Sequence, residues 1–217
     1  MKIISHRGYW RAPCEKNSLV AFRRSFELGF GTETDVRDHK SRLVISHDIP
    51  KGGEILLQDF FDLVLQHTNG IKNFKIALNI KSDGLAAEIS KILSQYQMIN
   101  YFLFDMSVPD MRGYIFEKLK FYTRVSEVER NPAWLENAAG VWVDSFESIW
   151  YETNLIEDIL KSQKEVCIVS PELHNRPFIP LWEKIKPLIL ERDLVLCTDY
   201  PEHAQAFFFG EGNGIKN

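Results

Sequence analysis

The chain has 217 residues, 45% of them hydrophobic, and a formal net charge of −4. That length suits one domain with a large core, and the mildly acidic balance excludes the basic footprint of a nucleic-acid binder while leaving room for an anionic small molecule in a local pocket. The cysteines, Cys14, Cys167 and Cys197, are odd in number and form no CxxC pair, which excludes a disulfide framework and a cysteine zinc site.

Short apolar runs alternate with amphipathic stretches along the chain. Lys2–Ser5 reads as a strand ending in His6; the segment turns polar too soon for a signal peptide. Leu19–Leu28 has helical spacing, with Asn17 or Ser18 as N-cap and Gly29 as stop. Gly31–Val36 is the second strand, and Leu43–Ser46 a short extended piece leading to His47. A helix over Ile55–His67 follows, then a strand at Lys75–Ile80. Gly84–Gln97 is a helix capped by Ser82 or Asp83, Tyr101–Asp105 a strand, and Pro109–Leu119 a helix with proline in its first turn. Lys120–Arg124 is a strand, followed by a short helix from Asn131 to about Asn137. Gly140–Val143 is a strand and Asn154–Lys161 a helix. Val166–Val169 is a strand, carrying Cys167 as a core residue, and Ile179–Leu190 a helix interrupted or bent at Pro187. Leu194–Cys197, with Cys197, is the last strand, His203–Phe208 the last helix, and GEGNGIKN a frayed tail. No apolar run approaches the roughly 20 residues of a membrane span, so the expected setting is reduced and cytoplasmic.

With the piece before His47 set aside, this is eight strands, each followed by a helix. Alternation implies parallel neighbours joined by crossovers. Eight units imply closure into a compact (β/α)₈ TIM barrel forming one domain over residues 1–217. No GxGxxG or GxxxxGK[ST] follows any strand, which argues against an open nucleotide-binding sheet. Polar side chains collect where strands end: His6, Glu33 and Asp35, Asn79 and Lys81, Asp105, Arg124, Asp144, Glu172 and His174, and Asp199. Barrel enzymes build their sites at that face.

Glu33 and Asp35, two apart on one strand, share a face. Adjacent carboxylates there need a cation or a shared proton, and their hard oxygens suit Mg²⁺ or Ca²⁺. Asn79 and Lys81 repeat the spacing, offering a carbonyl ligand and an anion contact. His6 and His47 are candidates for a general acid and a general base, and Arg7 offers a bidentate fork to a phosphate. Among Tyr9, Trp10, Phe104, Trp142, Phe146 and Trp150 most read as packing residues. Trp142 shares parity with Asp144 and is expected at the mouth, where a ring packs on a sugar or a cationic headgroup.

The ordered set His6-Arg7-Gly8, Asn17-Ser18, Gly31-x-Glu33-x-Asp35-Val36, His47-Asp48, Asn79-Ile80-Lys81 and Thr198-Asp199-Tyr200-Pro201 resembles the glycerophosphodiester phosphodiesterase family. The match is dense over the first fifth of the chain and returns at the last strand. The resemblance implies a phospholipase-C-like (β/α)₈ barrel that cleaves a small-molecule phosphodiester with a divalent cation, Mg²⁺ or Ca²⁺. It implies His6 and His47 as the acid/base pair, Arg7 and Lys81 on the phosphate, and Glu33 and Asp35 on the metal. It also implies that Asn17 shapes the site around His6. Three departures stand out. The family's Glu-x-Lys on the third strand is Asn79-Ile80-Lys81, so the metal role passes to Asn79, or to Asp105 or Glu172 as substitutes. The Glu-Asn-Thr motif reads Glu15-Lys16-Asn17-Ser18. The insertion that encloses glycerol after the His-Asp pair is reduced to IPKGGE. The expected function is metal-dependent phosphodiester hydrolysis. The alternative is an impaired barrel that binds a phosphate or phosphodiester without cleaving it. Hydrolysis of a sugar by the pair Glu33 and Glu172 ranks last, since it leaves His6, Arg7 and His47 without a role.

Overall fold

The computed structural model describes residues 1–68 and 74–210. Its elements run β1 (Lys2–His6), α1 (Leu19–Glu27), β2 (Gly31–His39), β3 (Arg42–Ile45), α2 (Leu57–His67), β4 (Lys75–Ile80), α3 (Ala86–Leu93) and β5 (Asn100–Phe104). They continue with α4 (Met111–Phe116), β6 (Tyr122–Val125), β7 (Gly140–Val143), α5 (Thr153–Lys161), β8 (Glu165–Val169), α6 (Ile179–Ile185), β9 (Leu194–Thr198) and α7 (Pro201–Phe209). All but one of the eight residues GEGNGIKN, the stretch expected to fray, lie outside the described residues.

The sheet order is β5-β4-β2-β1-β9-β8-β7-β6, with β3 folded back antiparallel on β2. The other neighbours are parallel, as the alternation with helices requires. One bridge, between Leu103 and Phe121, joins the outer strands β5 and β6. Eight strands therefore close into the barrel expected from the sequence, and the extended piece before His47 stands outside it.

Side-chain alternation sorts each strand into an inner and an outer set. Inside the barrel, Ile4, Ala77, Phe102, Phe104, Tyr122 and Trp142 pack with both buried cysteines. Phe102 stacks on Tyr122 at 3.8 Å and Phe104 on Trp142 at 3.9 Å. Outside, the helices cover the sheet with Phe22, Phe26, Phe60 and Phe61 on one side and with Trp182, Ile185 and Leu188 on the other. At the end where the strands begin, Lys75, Lys120 and Tyr122 converge on Glu165 and plug the barrel floor.

Three helices differ from expectation. The stretch from Asn131 to Asn137 forms turns, because Trp134 takes a left-handed φ of +56° and its carbonyl accepts from both Asn137 and Ala138. The third helix begins at Ala86 without a side-chain cap, because Ser82 is spent on Asp38 and Asp83 accepts from Ser107. The fourth begins at Met111 and ends before Lys118, which sits at φ +56°. The helix expected over Ile179–Leu190 is interrupted near Pro187: α6 ends at Ile185 and tightens into a 3₁₀ turn over Lys186–Leu188. Ser18 is the N-cap of α1, its hydroxyl accepting from Ala21 N–H. Among the described residues no helix is long and apolar enough to cross a membrane.

Candidate active site

The register of the first strands assembles one half of the mouth. His6 pairs with Glu33 across β1 and β2, and Asp35 pairs with Asn79 across β2 and β4. Because Ala77, beside Glu33, faces the barrel interior, this row faces inward too. Glu33 and Asp35 are 1% and 0% exposed. Arg7 and Lys81, each just past a strand end, reach back over them. Arg7 Nε lies 2.8 Å from Asp35 Oδ2, and Lys81 Nζ lies 3.4 Å from Asp35 Oδ1. Asn17 donates to Asp35 at 2.8 Å, accepts from the Thr34 hydroxyl at 2.9 Å, and gives its backbone N–H to the Arg7 carbonyl. It thereby fixes Arg7 and Asp35 relative to each other.

The turn that carries Arg7 leaves no room for a larger neighbour. Gly8 has φ +79°, and a Cβ there would stand 2.7 Å from the Ala21 Cβ. Its N–H donates to Thr32 Oγ1 at 2.9 Å, which seats the turn against both α1 and β2. Arg7, Asn17 and Asp105 have φ of +57°, +57° and +70°. Non-glycine residues seldom adopt that region, and such conformations gather at functional sites.

His6 gives its Nδ1 proton to Asp199 Oδ1 at 2.8 Å, which leaves Nε2 facing Glu33 Oε2 at 3.9 Å. Burial lowers the His6 pKa, outweighing the upward pull of Asp199, so the ring is neutral at pH 7 and Nε2 carries a lone pair. Burial first, and then the charge of Asp35, push Glu33 up to about 8. Arg7 and Lys81 oppose that shift without cancelling it.

His47 stands apart from this buried row. Its side chain is 46% exposed and donates from Nδ1 to Asp48 at 2.8 Å. Arg37 donates to its carbonyl. A cleft of about 760 Å³ has Arg7, Asn17 and Ser18 on one wall and His47, Asp48 and Glu54 on the other. The structure therefore brings Arg7 and His47 to one opening, with His6 and the carboxylates packed behind Arg7.

The remaining strands complete the rim. Asp105 lies 3.9 Å from Lys81 and accepts from Arg124 at 2.5 Å. Arg124 is shared with Glu129. Glu172 accepts from Ser170 and Thr198 and from the Asp199 N–H. Burial raises its pKa, and those hydroxyls pull the other way. Trp142 points inward as its parity with Asp144 requires, but it is not the mouth ring expected: it is 5% exposed, stacked on Phe104 in the barrel interior, and its N–H donates to Asp144.

A divalent cation was expected on Glu33, Asp35 and Asn79. Asp35 Oδ1 and Asn79 Oδ1 are buried acceptors without a hydrogen-bond donor, on residues paired in register. Two buried hard oxygens on register partners, neither accepting a hydrogen bond and one facing the Lys81 ammonium at 3.4 Å, next to the Glu33 carboxyl, fit the chemistry of Mg²⁺ or Ca²⁺. A third carboxylate does not join them. Asp105 and Glu172 are engaged elsewhere, and no group of three or more His, Cys, Asp or Glu is gathered for a metal among the described residues.

No protein-family model matches the sequence, and no curated protein does. Solved structures do. A glycerophosphodiester phosphodiesterase from Parabacteroides distasonis ATCC 8503 superposes with a TM-score of 0.66 at 18% identity, covering 95% of this chain and 96% of that one. The glycerophosphodiester phosphodiesterase from Agrobacterium tumefaciens str. C58 gives 0.64 at 18% identity, over 96% of this chain and 98% of the other. The fold is that of the glycerophosphodiester phosphodiesterases. A Ca²⁺-dependent phosphatidylinositol-specific phospholipase C from Streptomyces antibioticus shares it, with a TM-score of 0.60 at 10% identity over 95% and 96% of the two chains.

Within this phosphodiesterase-type barrel, two pairings escaped the sequence reading. Asp199 orients His6 from 193 residues away. His174 donates from Nε2 to Asp144 at 2.7 Å, across two neighbouring strand ends. The signal for both was a carboxylate and a histidine at the ends of adjacent strands, which becomes readable once the strand order is known.

Proposed function

We propose that this chain is a short glycerophosphodiester-phosphodiesterase-like enzyme that cleaves a small phosphodiester at the mouth between His6 and His47. The observation that carries the reading is the interlocked set of Arg7, Asp35 and Lys81 beside an oriented, neutral His6, with Arg7 opening onto the cleft that holds His47. Arg7 meets Asp35 through Nε, which leaves its terminal nitrogens for a phosphoryl oxygen, and Lys81 adds a second positive charge. His6 Nε2 takes the proton of the attacking hydroxyl as its oxygen bonds to phosphorus. The bond to the leaving oxygen breaks, and His47 hands that alkoxide a proton. Asp199 holds the imidazolium that forms on His6. Glu33, Asp35 and Asn79 would hold a divalent cation, which would supply Lewis acidity toward a phosphoryl oxygen. The free cysteines suit a reducing, cytoplasmic compartment.

The test is turnover of a phosphodiester panel, with Mg²⁺ or Ca²⁺ and again with EDTA, by the wild type and by His6→Asn and His47→Ala. Each substitution is expected to cost about 10²–10⁴-fold in kcat. Full activity in either variant ends the acid/base assignment.

A second reading is favoured by one feature, the amide of Asn79 where a third carboxylate was expected. In that reading the barrel binds a phosphate ester without cleaving it. Saturable binding of a phosphodiester, with no turnover under any cation, would establish it.

A further inference from the structure

The β6–β8 side of the mouth holds a group of side chains that the cleavage chemistry does not use. Phe146 lies two residues beyond Asp144 and is 37% exposed, unlike the rings inside the barrel. The His174 ring is 4.8 Å from it, and the Arg124 guanidinium is 5.8 Å from its centre. His174 spends Nε2 on Asp144. Asp144 is held in turn by the Trp142 and Ser145 N–H groups. With Nε2 held by the carboxylate, Nδ1 is the ring nitrogen left to face a ligand hydroxyl. An open aromatic face beside an oriented ring nitrogen matches a polyhydroxylated ring. The C–H faces pack on phenylalanine, and a hydroxyl hydrogen-bonds to the nitrogen. Arg124 links this corner through Asp105 to Lys81, which places it beside the phosphate end of the mouth.

We propose that Phe146 and His174 form a subsite for a sugar or cyclitol esterified to the phosphate, with Asp144 as the positioning residue for His174. This deepens the phosphodiesterase reading and rests on its placement of the phosphate at Arg7 and Lys81. Substrate would then span the barrel, with phosphate over β1–β4 and the polyol over β7–β8. Arg7, His47 and Asp48 line a cleft on one side of the mouth; selectivity on this reading comes from the opposite wall.

Calorimetric titration of hexose and cyclitol monophosphates, against methyl phosphate, tests the subsite without requiring turnover. The wild type is expected to prefer at least one polyol phosphate by about tenfold, the size of one aromatic packing contact. Phe146→Ala, at an exposed position, and His174→Gln, which keeps an N–H for Asp144, are each expected to erase that preference and leave methyl phosphate affinity unchanged. Equal affinities in the wild type, no binding of any probe, or a preference that survives both substitutions overturns the subsite. A wild-type preference that both substitutions erase, with no cleavage of the corresponding diesters, sinks the cleavage reading and leaves the subsite standing.

Discussion

Glu33 shows how one side chain trades stability for chemistry. Its carboxyl titrates at about 8 in the folded protein against an ordinary 4.5. Between those values the folded chain holds more protons than the unfolded one, so this group's contribution is full below the lower value and declines as pH rises toward the upper. Glutamine at the position carries no such penalty. Glu33→Gln is therefore expected to be more stable than wild type by on the order of 2 kcal/mol at pH 8, with the gap closing near pH 4. Urea unfolding in EDTA at both pH values reads this directly, and a gap that does not change with pH contradicts it. Gly8 makes the opposite case. An alanine there meets both a left-handed φ and the Ala21 side chain. Gly8→Ala is expected to destabilise by about 2–4 kcal/mol, seen as a lowered melting temperature, and, on the proposed function, to weaken phosphate binding because Arg7 moves with the turn.

The barrel's elements are unequal in how firmly they are held. β1 pairs in register with β2 on one side and with β9 on the other, whereas β5 and β6 meet at one bridge. Behind β6 the helical layer is replaced by the turns around Trp134. Amide hydrogen exchange is expected to be faster along β6 than along β1, because local opening follows sparse pairing and thin cover; equal protection in both strands would refute this. The same unevenness explains what could be read from the sequence. Strands and long helices carry their period in the chain, so the eight barrel strands, the hairpin strand before His47 and the interruption near Pro187 were legible. The helix expected after β6 failed on a backbone conformation at Trp134, which no periodicity encodes. At the site, Glu33, Asp35, Asn79 and Lys81 were legible because a two-residue spacing fixes a face. The His6–Asp199 and His174–Asp144 pairs depend on which strands are neighbours, and spacing within a strand does not hold that information. The exposure of His47, against the burial of His6, likewise depends on β3 leaving the barrel.

Across the whole molecule, the floor and the mouth respond to pH in opposite directions. Burial alone would raise Glu165, but hydrogen bonds from Lys75 and Tyr122 outweigh it and hold the carboxylate at about 2. Its contribution is present above the ordinary 4.5 and is lost as pH falls toward that value of about 2. Burial lowers Lys75 to about 8, although Glu165 pulls it upward. With Glu33 declining in the alkaline direction and Glu165 in the acid one, stability is expected to peak on the acid side of neutrality, which a series of thermal melts across pH checks. Glu165→Gln leaves the Lys75 ammonium buried without its counter-charge. It is expected to cost about 3–5 kcal/mol in urea unfolding, and to cost much less if Lys75 is replaced by methionine in the same chain. The bond between His6 and Asp199 spans 193 positions, and this separation has a bearing on synthesis. A ribosome releases the histidine, and the two cations to which the proposed function assigns the phosphate, well before the carboxylate that holds the histidine. A product cut short before β9 would carry the cations of the mouth with no Asp199 behind His6, so on the proposed function premature termination yields at most an anion binder, and cleavage waits until β9 slots in beside β1.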